Sequence, residues 1–257
     1  MNRVIFIGAG PGDPELITLK GKKFLEKADV IIYTGSLLNP EILKFIKPNA
    51  KLYDSATMNR EEVLELMVKA ARGGKLVARV HDGDPSIYGA LQEQLDFLTK
   101  KEIEYEIVPG VSSLFATAAS LKKQLTLPGI SQTVIITRPE GRTPVPESES
   151  IRELAKHRTT MAIFLGIPYI DSVVKELEKG GYSRDTPIAV VHKASWREEK
   201  IVKGTLDDIV EKVKKAGIKE TALIIVGEIL NPKAYDYSKL YDPSFTHGYR
   251  KGDHDVP

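Results

Sequence analysis

Short runs of aliphatic residues alternate with longer amphipathic stretches through the first half of the chain. Val4–Ile7, Val30–Tyr33, Leu76–Val80 and Tyr105–Val108 are rich in Val and Ile and bounded by Gly, Pro or Asp, which predicts four strands. Between them, residues 18–27, 59–72 and 87–100 repeat apolar positions at helical spacing. Val63, Leu64, Met67 and Ala71 fall on one face and are read as core, and Thr18 and Asn59 stand where N-caps belong. Such alternation predicts a mostly parallel sheet covered by helices on both faces. Leu114–Leu121 predicts a helix leading out of this domain, and residues 122–130, with Pro128 and Gly129, a connector. A second alternation follows, with strands at 133–137, 160–165, 188–192, 199–202 and 222–226 and helices at 167–179 and 206–215. The predicted class is therefore α/β, with two α/β domains of mixed, mostly parallel sheets at 1–117 and 118–230. The remaining 231–257, rich in Tyr, Lys, Asp and Pro without a period, reads as a tail that wraps or frays.

Composition narrows the class of function. A chain of 257 residues, 42% hydrophobic and 28% charged, describes a globular protein. A net charge of +2 supplies no global field for nucleic acid. Apolar runs such as Leu223–Val226 fall far short of the ~20 residues of a membrane span. Met1-Asn2-Arg3-Val4-Ile5 enters a strand directly, without a signal-peptide pattern, so a cytoplasmic location is expected. The chain has no cysteine, which excludes disulfides, thiolate metal sites and a cysteine nucleophile.

Three loops of small residues follow predicted strands: Gly8-Ala9-Gly10-Pro11-Gly12-Asp13, His81-Asp82-Gly83-Asp84-Pro85-Ser86-Ile87-Tyr88-Gly89, and Val108-Pro109-Gly110-Val111-Ser112-Ser113. Strand ends of open α/β sheets are where ligands bind. The first loop invites a dinucleotide reading, but Asp13 stands where the fingerprint needs its third glycine. No acid follows Val30–Tyr33 to hold a ribose, the next being Glu41. Glycine lets backbone approach a flat ligand closely, and Pro11, Pro14 and Pro85 stiffen the loops, so ligand contact through peptide groups is expected.

Together these loops closely resemble those of the tetrapyrrole methylases, the class III S-adenosylmethionine-dependent methyltransferases of cobalamin and sirohaem synthesis. The resemblance spans nearly the whole chain. Residues Thr137–Pro146, and the tail from Ser238 through Phe245-Thr246-His247-Gly248-Tyr249-Arg250, resemble the branch that methylates C11 of precorrin-4 or cobalt-precorrin-4. The resemblance implies two α/β domains, S-adenosylmethionine held in a cleft between them, and a homodimer. It implies cofactor contacts at Pro11, Asp82, Gly83, Asp84, Ile87, Ser112 and Ser113, and at Leu165, Ala194, Ala222 and Leu223. Relatives often carry Met at the Leu165 position and Gly at that of Ala194.

Methyl transfer from a sulfonium to carbon is an in-line displacement in which the protein supplies alignment. An electron-rich ring carbon needs no strong general base, and no catalytic dyad is visible, so no catalytic residue is nominated. Asp84 is a candidate for favouring the cationic sulfonium, or for fixing its own turn. A tetrapyrrole precursor carries carboxylates, which Arg matches bidentately. Arg138 and Arg142, on a loop with three prolines, are therefore substrate candidates, and His81 and His192 at strand ends are candidates for lining the site. Trp196 beside Lys193 suits stacking on a flat ligand or half-buried packing, the latter preferred, and Arg197–Lys200 reads as a solvated turn. No metal site is expected, and any cobalt arrives inside the substrate; the absence of cysteine and the Lys/Glu balance favour the cobalt form. Rival readings are another acceptor, such as uroporphyrinogen III, or a non-catalytic tetrapyrrole carrier.

Overall fold

A computed structural model describes residues 3–35 and 37–253; Ser36 and the last four residues of the predicted tail lie outside the described residues. The chain forms two compact units, one of residues 1–120 with Lys193–Lys200, the other of 121–192 with 201–257. The segment Lys193–Lys200, which the sequence assigned to the second domain, thus packs with the first.

The first unit is built on β1 (Arg3–Gly8), α1 (Leu19–Lys27), β2 (Val30–Tyr33), β3 (Lys51–Asp54), α2 (Arg60–Arg72), β4 (Leu76–His81), α3 (Leu91–Lys100), β5 (Glu104–Val108) and α4 (Ser113–Leu121). Its sheet has the order β3-β2-β4-β1-β5 and is parallel throughout. Alternate residues of the central strands are buried on opposite faces, as a parallel sheet covered on both sides requires. Val4, Phe6, Ile32 and Val77 pack with Val63, Leu64, Met67 and Ala71 of α2 and with Leu95 and Leu98 of α3. Ile5, Ile7, Ile31, Ala78 and Val80 share the opposite core with Leu25 of α1. The predicted caps are present. Thr18 Oγ1 accepts from Gly21 N at 3.1 Å, and Asn59 forms a reciprocal capping box with Glu62. The helix predicted from 87 begins only at Leu91, because Tyr88 and Ala90 take left-handed φ values of 55° and 48° around a tight turn.

The second unit holds β6 (Val134–Thr137), α5 (Ile151–Ala155), β7 (Thr160–Ile163), α6 (Ile170–Lys179), β8 (Pro187–His192), β9 (Lys200–Thr205), α7 (Ile209–Lys215) and β10 (Ala222–Val226). The strand order is β6-β7-β10-β8-β9; β6 and β7 are parallel, and β10 runs antiparallel to both its neighbours. Its core gathers Met161, Ile163, Val173, Leu177, Val190, Ile209 and Ile224. The tail lies largely exposed, and the Arg250 guanidinium ties it by donating to the carbonyls of Leu240 at 3.2 Å and of Asp242.

Candidate functional site

In the order β4-β1-β5 the three small-residue loops leave the carboxyl ends of three adjacent strands. They close on one another through backbone. Ala9 N donates to His81 O at 2.8 Å, and Gly83 N donates to Gly10 O at 2.8 Å in a short antiparallel bridge. A Cβ on Gly110 would stand 2.1 Å from Gly83 O, and one on Gly8 would stand 2.5 Å from Gly110 N. Gly8 and Gly110 therefore meet the Gly83 carbonyl and each other where no side chain fits, which is why the sequence needs glycine at these two loop starts. Gly83, at φ +56°, keeps a bare Cα facing Ser112 Cα at the distance of an ordinary methyl contact, 3.7 Å from where its Cβ would be.

The polar side chains of these loops mostly bind the loops themselves. Asp84 accepts from Ser86 N at 2.9 Å and from Ser86 Oγ through one arm, and from Gly110 N at 2.9 Å through the other. Partial burial would raise its pKa, but these hydrogen bonds outweigh burial and hold it below the usual carboxylate range. Of the two roles considered for Asp84, the turn-fixing one is visible here. Ser112 is buried and caps α4, its Oγ accepting from Leu114 N at 3.3 Å. Ser113 and Ile87 are half-buried beside them. Pro11 is half-buried, and its carbonyl accepts from Trp196 Nε1 at 2.8 Å. Ala194, on the same segment as Trp196, is buried within this unit.

Beneath the loops sits a polar cluster centred on Arg79, a residue outside the candidates read from the sequence. Arg79, in the middle of the apolar run of β4, is 7% exposed. It donates to Gln94 Oε1 at 3.2 Å, Ser55 Oγ at 3.2 Å and Ile32 O at 3.3 Å. Burial lowers its pKa to about 10, with the Asp82 carboxylate opposing. Burial also raises Asp82, against the pull of Thr34 and Arg79. A charge placed inside an otherwise aliphatic strand was the available signal. His81 departs from expectation. Its ring is 3% exposed and lies against Phe6 at 6.1 Å between centroids. Burial, then Arg79, drives its pKa down to about 3, so it is a neutral core residue and not a lining one.

In the second unit, the strand pairing gathers the other candidates at one end of the sheet. His192 pairs with Ala222, and Leu223 with Val191. Phe164 N donates to Thr137 O at 2.8 Å, which sets Leu165 beside the start of the 138–146 loop. Leu165 is 59% exposed at a left-handed φ of 54°, a strained and apolar position of the kind found at binding sites. Arg138 donates to the carbonyls of Pro139, Thr143 and Pro144 at 3.2, 3.1 and 3.0 Å, so its guanidinium braces its own loop. Arg142 on that loop is exposed.

Residues 3–210 match the family model described as Tetrapyrrole (Corrin/Porphyrin) Methylases. The chain belongs to this family. Among these methylases, a cobalt-precorrin-4 C(11)-methyltransferase of Methanocaldococcus jannaschii is 68% identical over 249 residues, 97% of this chain and 96% of its own. A solved cobalt precorrin-4 methyltransferase is similar at a TM-score of 0.88 and 47% identity, covering 90% of this chain and 97% of that one. A uroporphyrin-III C-methyltransferase of Thermus thermophilus, solved with S-adenosyl homocysteine, is similar at 0.76 and 30% identity over 91% of this chain and 96% of its own. Among the described residues, no helix of this methylase is long and apolar enough to cross a membrane.

Proposed function

We propose that this chain transfers a methyl group from S-adenosylmethionine to C11 of cobalt-precorrin-4, a step in building the corrin ring of cobalamin, and does so as a cytoplasmic homodimer. The observation that carries the reading is the 68% identity, along almost the full length of both chains, to a cobalt-precorrin-4 C(11)-methyltransferase. When bound, the donor supplies a methyl group already activated on a sulfonium. The first unit's loops fit such a molecule. They carry the carboxylates of Asp82 and Asp84, whose charge suits a cation, on backbone that the close approach of Gly83 and Gly110 holds in place.

On the family pattern, Pro11, Asp82, Gly83, Asp84, Ile87, Ser112, Ser113 and Ala194 of the first unit contact the donor, with Leu165, Ala222 and Leu223 of the second. Their work is alignment, and holding reacting atoms within about 3–3.5 Å contributes on the order of 7–11 kcal/mol of barrier lowering. The acceptor carbon's electron pair takes the methyl, the carbon–sulfur bond breaks with its pair left on sulfur, and S-adenosyl-L-homocysteine leaves. Arg142 pairs with substrate carboxylates from a loop whose shape Arg138 maintains.

The test is incubation of the purified chain with methyl-labelled donor and, separately, cobalt-precorrin-4, metal-free precorrin-4 and uroporphyrinogen III, with the label located on the ring by NMR. Label at C11 of cobalt-precorrin-4 is expected. Label only in uroporphyrinogen III would overturn the acceptor, and no label in any of the three would overturn the enzyme reading.

A further inference from the structure

The loop after β1 is pinned from a distant part of the sequence, atom by atom. Pro11 O accepts from Trp196 Nε1 at 2.8 Å, Gly12 O accepts from Asn39 Nδ2 at 2.8 Å, and Asp13 N donates to Ser195 Oγ at 3.0 Å. The indole lies so close that a Cβ on Gly12 would stand 2.0 Å from Trp196 Cδ1. The segment bearing Trp196 is itself braced. Glu199 Oε2 accepts from Ser195 N at 2.7 Å and from Ser120 Oγ at 2.6 Å, and Lys193 Nζ sits 4.8 Å above the indole. Glu199 is thus a buttress, not part of a solvated turn. Lys193 and Ser195 hold left-handed φ values of 49° and 70° on either side of buried Ala194, a conformation that such side chains keep only when surrounding contacts impose it.

We infer that Trp196 is a positioning residue for the methyl donor: it fixes the Pro11–Asp13 loop and joins it to Ala194, so that donor contacts separated by most of the chain form one rigid piece. The inference rests on the proposed methyl-donor site. It reaches beyond that site's contact residues, because the indole acts through Pro11 and Gly12. The N–H and the ring do separable work. The N–H fixes the Pro11 carbonyl, and the ring occupies the space that Gly12 leaves open. Backbone left free to shift by about 1 Å at a binding loop loses on the order of a hundredfold in function.

Trp196 is the chain's single tryptophan, so its fluorescence reports this contact alone. The experiment pairs S-adenosylhomocysteine titration by calorimetry with acrylamide quenching of that fluorescence, using the full chain, Trp196→Phe and Trp196→Ala. Expected are roughly five- to tenfold weaker binding in Trp196→Phe, from loss of one hydrogen bond, and about a hundredfold in Trp196→Ala. The donor KM should rise and kcat fall while the tetrapyrrole KM stays near its starting value, a split that general destabilisation does not produce. In the unsubstituted chain, saturating S-adenosylhomocysteine should reduce quenching of Trp196. Unchanged affinity in both variants, or quenching indifferent to saturating ligand, would overturn this inference alone. Failure of the unsubstituted chain to bind S-adenosylhomocysteine would overturn the proposed function and this inference with it. Should Trp196→Ala not fold, Trp196→Phe and the quenching measurement decide.

Discussion

Adding one methyl group at Gly110 tests whether the close backbone approach of the three loops serves the donor. A Cβ there would stand 2.1 Å from Gly83 O and 2.7 Å from Gly8 Cα and C. Carbon contacts ordinarily settle at about 3.5–4.0 Å, so relief requires the backbone to part by about 1 Å or more. Both neighbours are main chain, and the Gly10–Gly83 bridge resists the movement. Overpacking of this kind costs about 1–3 kcal/mol. The shift also draws Gly110 N away from Asp84 Oδ2, now at 2.9 Å, and so releases the acid that organises the middle loop. Gly74→Ala is the matched control, since Gly74 has φ +77° with nothing within 4 Å of its Cβ position. That substitution carries only the left-handed backbone penalty of about 1–2 kcal/mol. Calorimetric titration with S-adenosylhomocysteine should show Gly110→Ala weaker by about a hundredfold and Gly74→Ala unchanged. Thermal midpoints of both should fall by a few degrees, at about 2–4 °C per kcal/mol. Wild-type affinity in Gly110→Ala would refute the reasoning, as would an equal loss in Gly74→Ala, which would trace the effect to overall stability.

Asp82→Asn should separate stability from binding. Burial raises the folded-state pKa of Asp82 above its ordinary 3.8, so its ionised form disfavours folding once pH rises through that value. The amide variant should therefore melt higher than the wild type at pH 7 and lose that advantage as pH falls below 3.8, while binding S-adenosylhomocysteine more weakly; a lower melting point at pH 7 would contradict the sign. Asn59→Ala removes a reciprocal capping box at the start of α2 and should cost about 1 kcal/mol in a denaturant titration, with donor affinity unchanged. Arg142→Ala should raise the tetrapyrrole KM without altering the donor KM. Arg138→Ala should in addition open the 138–146 loop to proteolysis, since three carbonyls lose their donor. Equal protease resistance in the two variants would remove the bracing role from Arg138.

Local pattern carried much of the architecture because the elements that matter most are locally consistent. β2 and β10 are β-branched runs with clear ends and were placed to the residue, and α1 and α2 declare themselves through Thr18 and Asn59. β3 escaped notice because Lys51-Leu52-Tyr53-Asp54 has one aliphatic residue, and that residue is exposed on an edge strand. α5 has only five residues, too few to show a helical period. The loop motifs were legible as motifs, but their meeting at Gly8, Gly83 and Gly110 follows from the strand order, which no window of sequence contains. The bond from Trp196 to Pro11 joins positions 185 apart and left no local trace at all.

The side chains that make the motifs recognisable are largely engaged with the protein itself. Both oxygens of Asp84, the Ser112 hydroxyl, the Trp196 indole N–H and the Arg138 guanidinium each hold backbone in place. A reaction whose electrophile arrives activated on its donor asks for little acid or base from the protein and a great deal of fixed geometry. Side chains that immobilise peptide groups answer that demand directly, because the groups they fix then need no reorganisation when the substrates meet. It follows that substitutions in these loops should act first on donor affinity and alignment, with little change in the pH dependence of the rate. On the proposed reading, the glycines and the residues that brace them supply that fixed geometry.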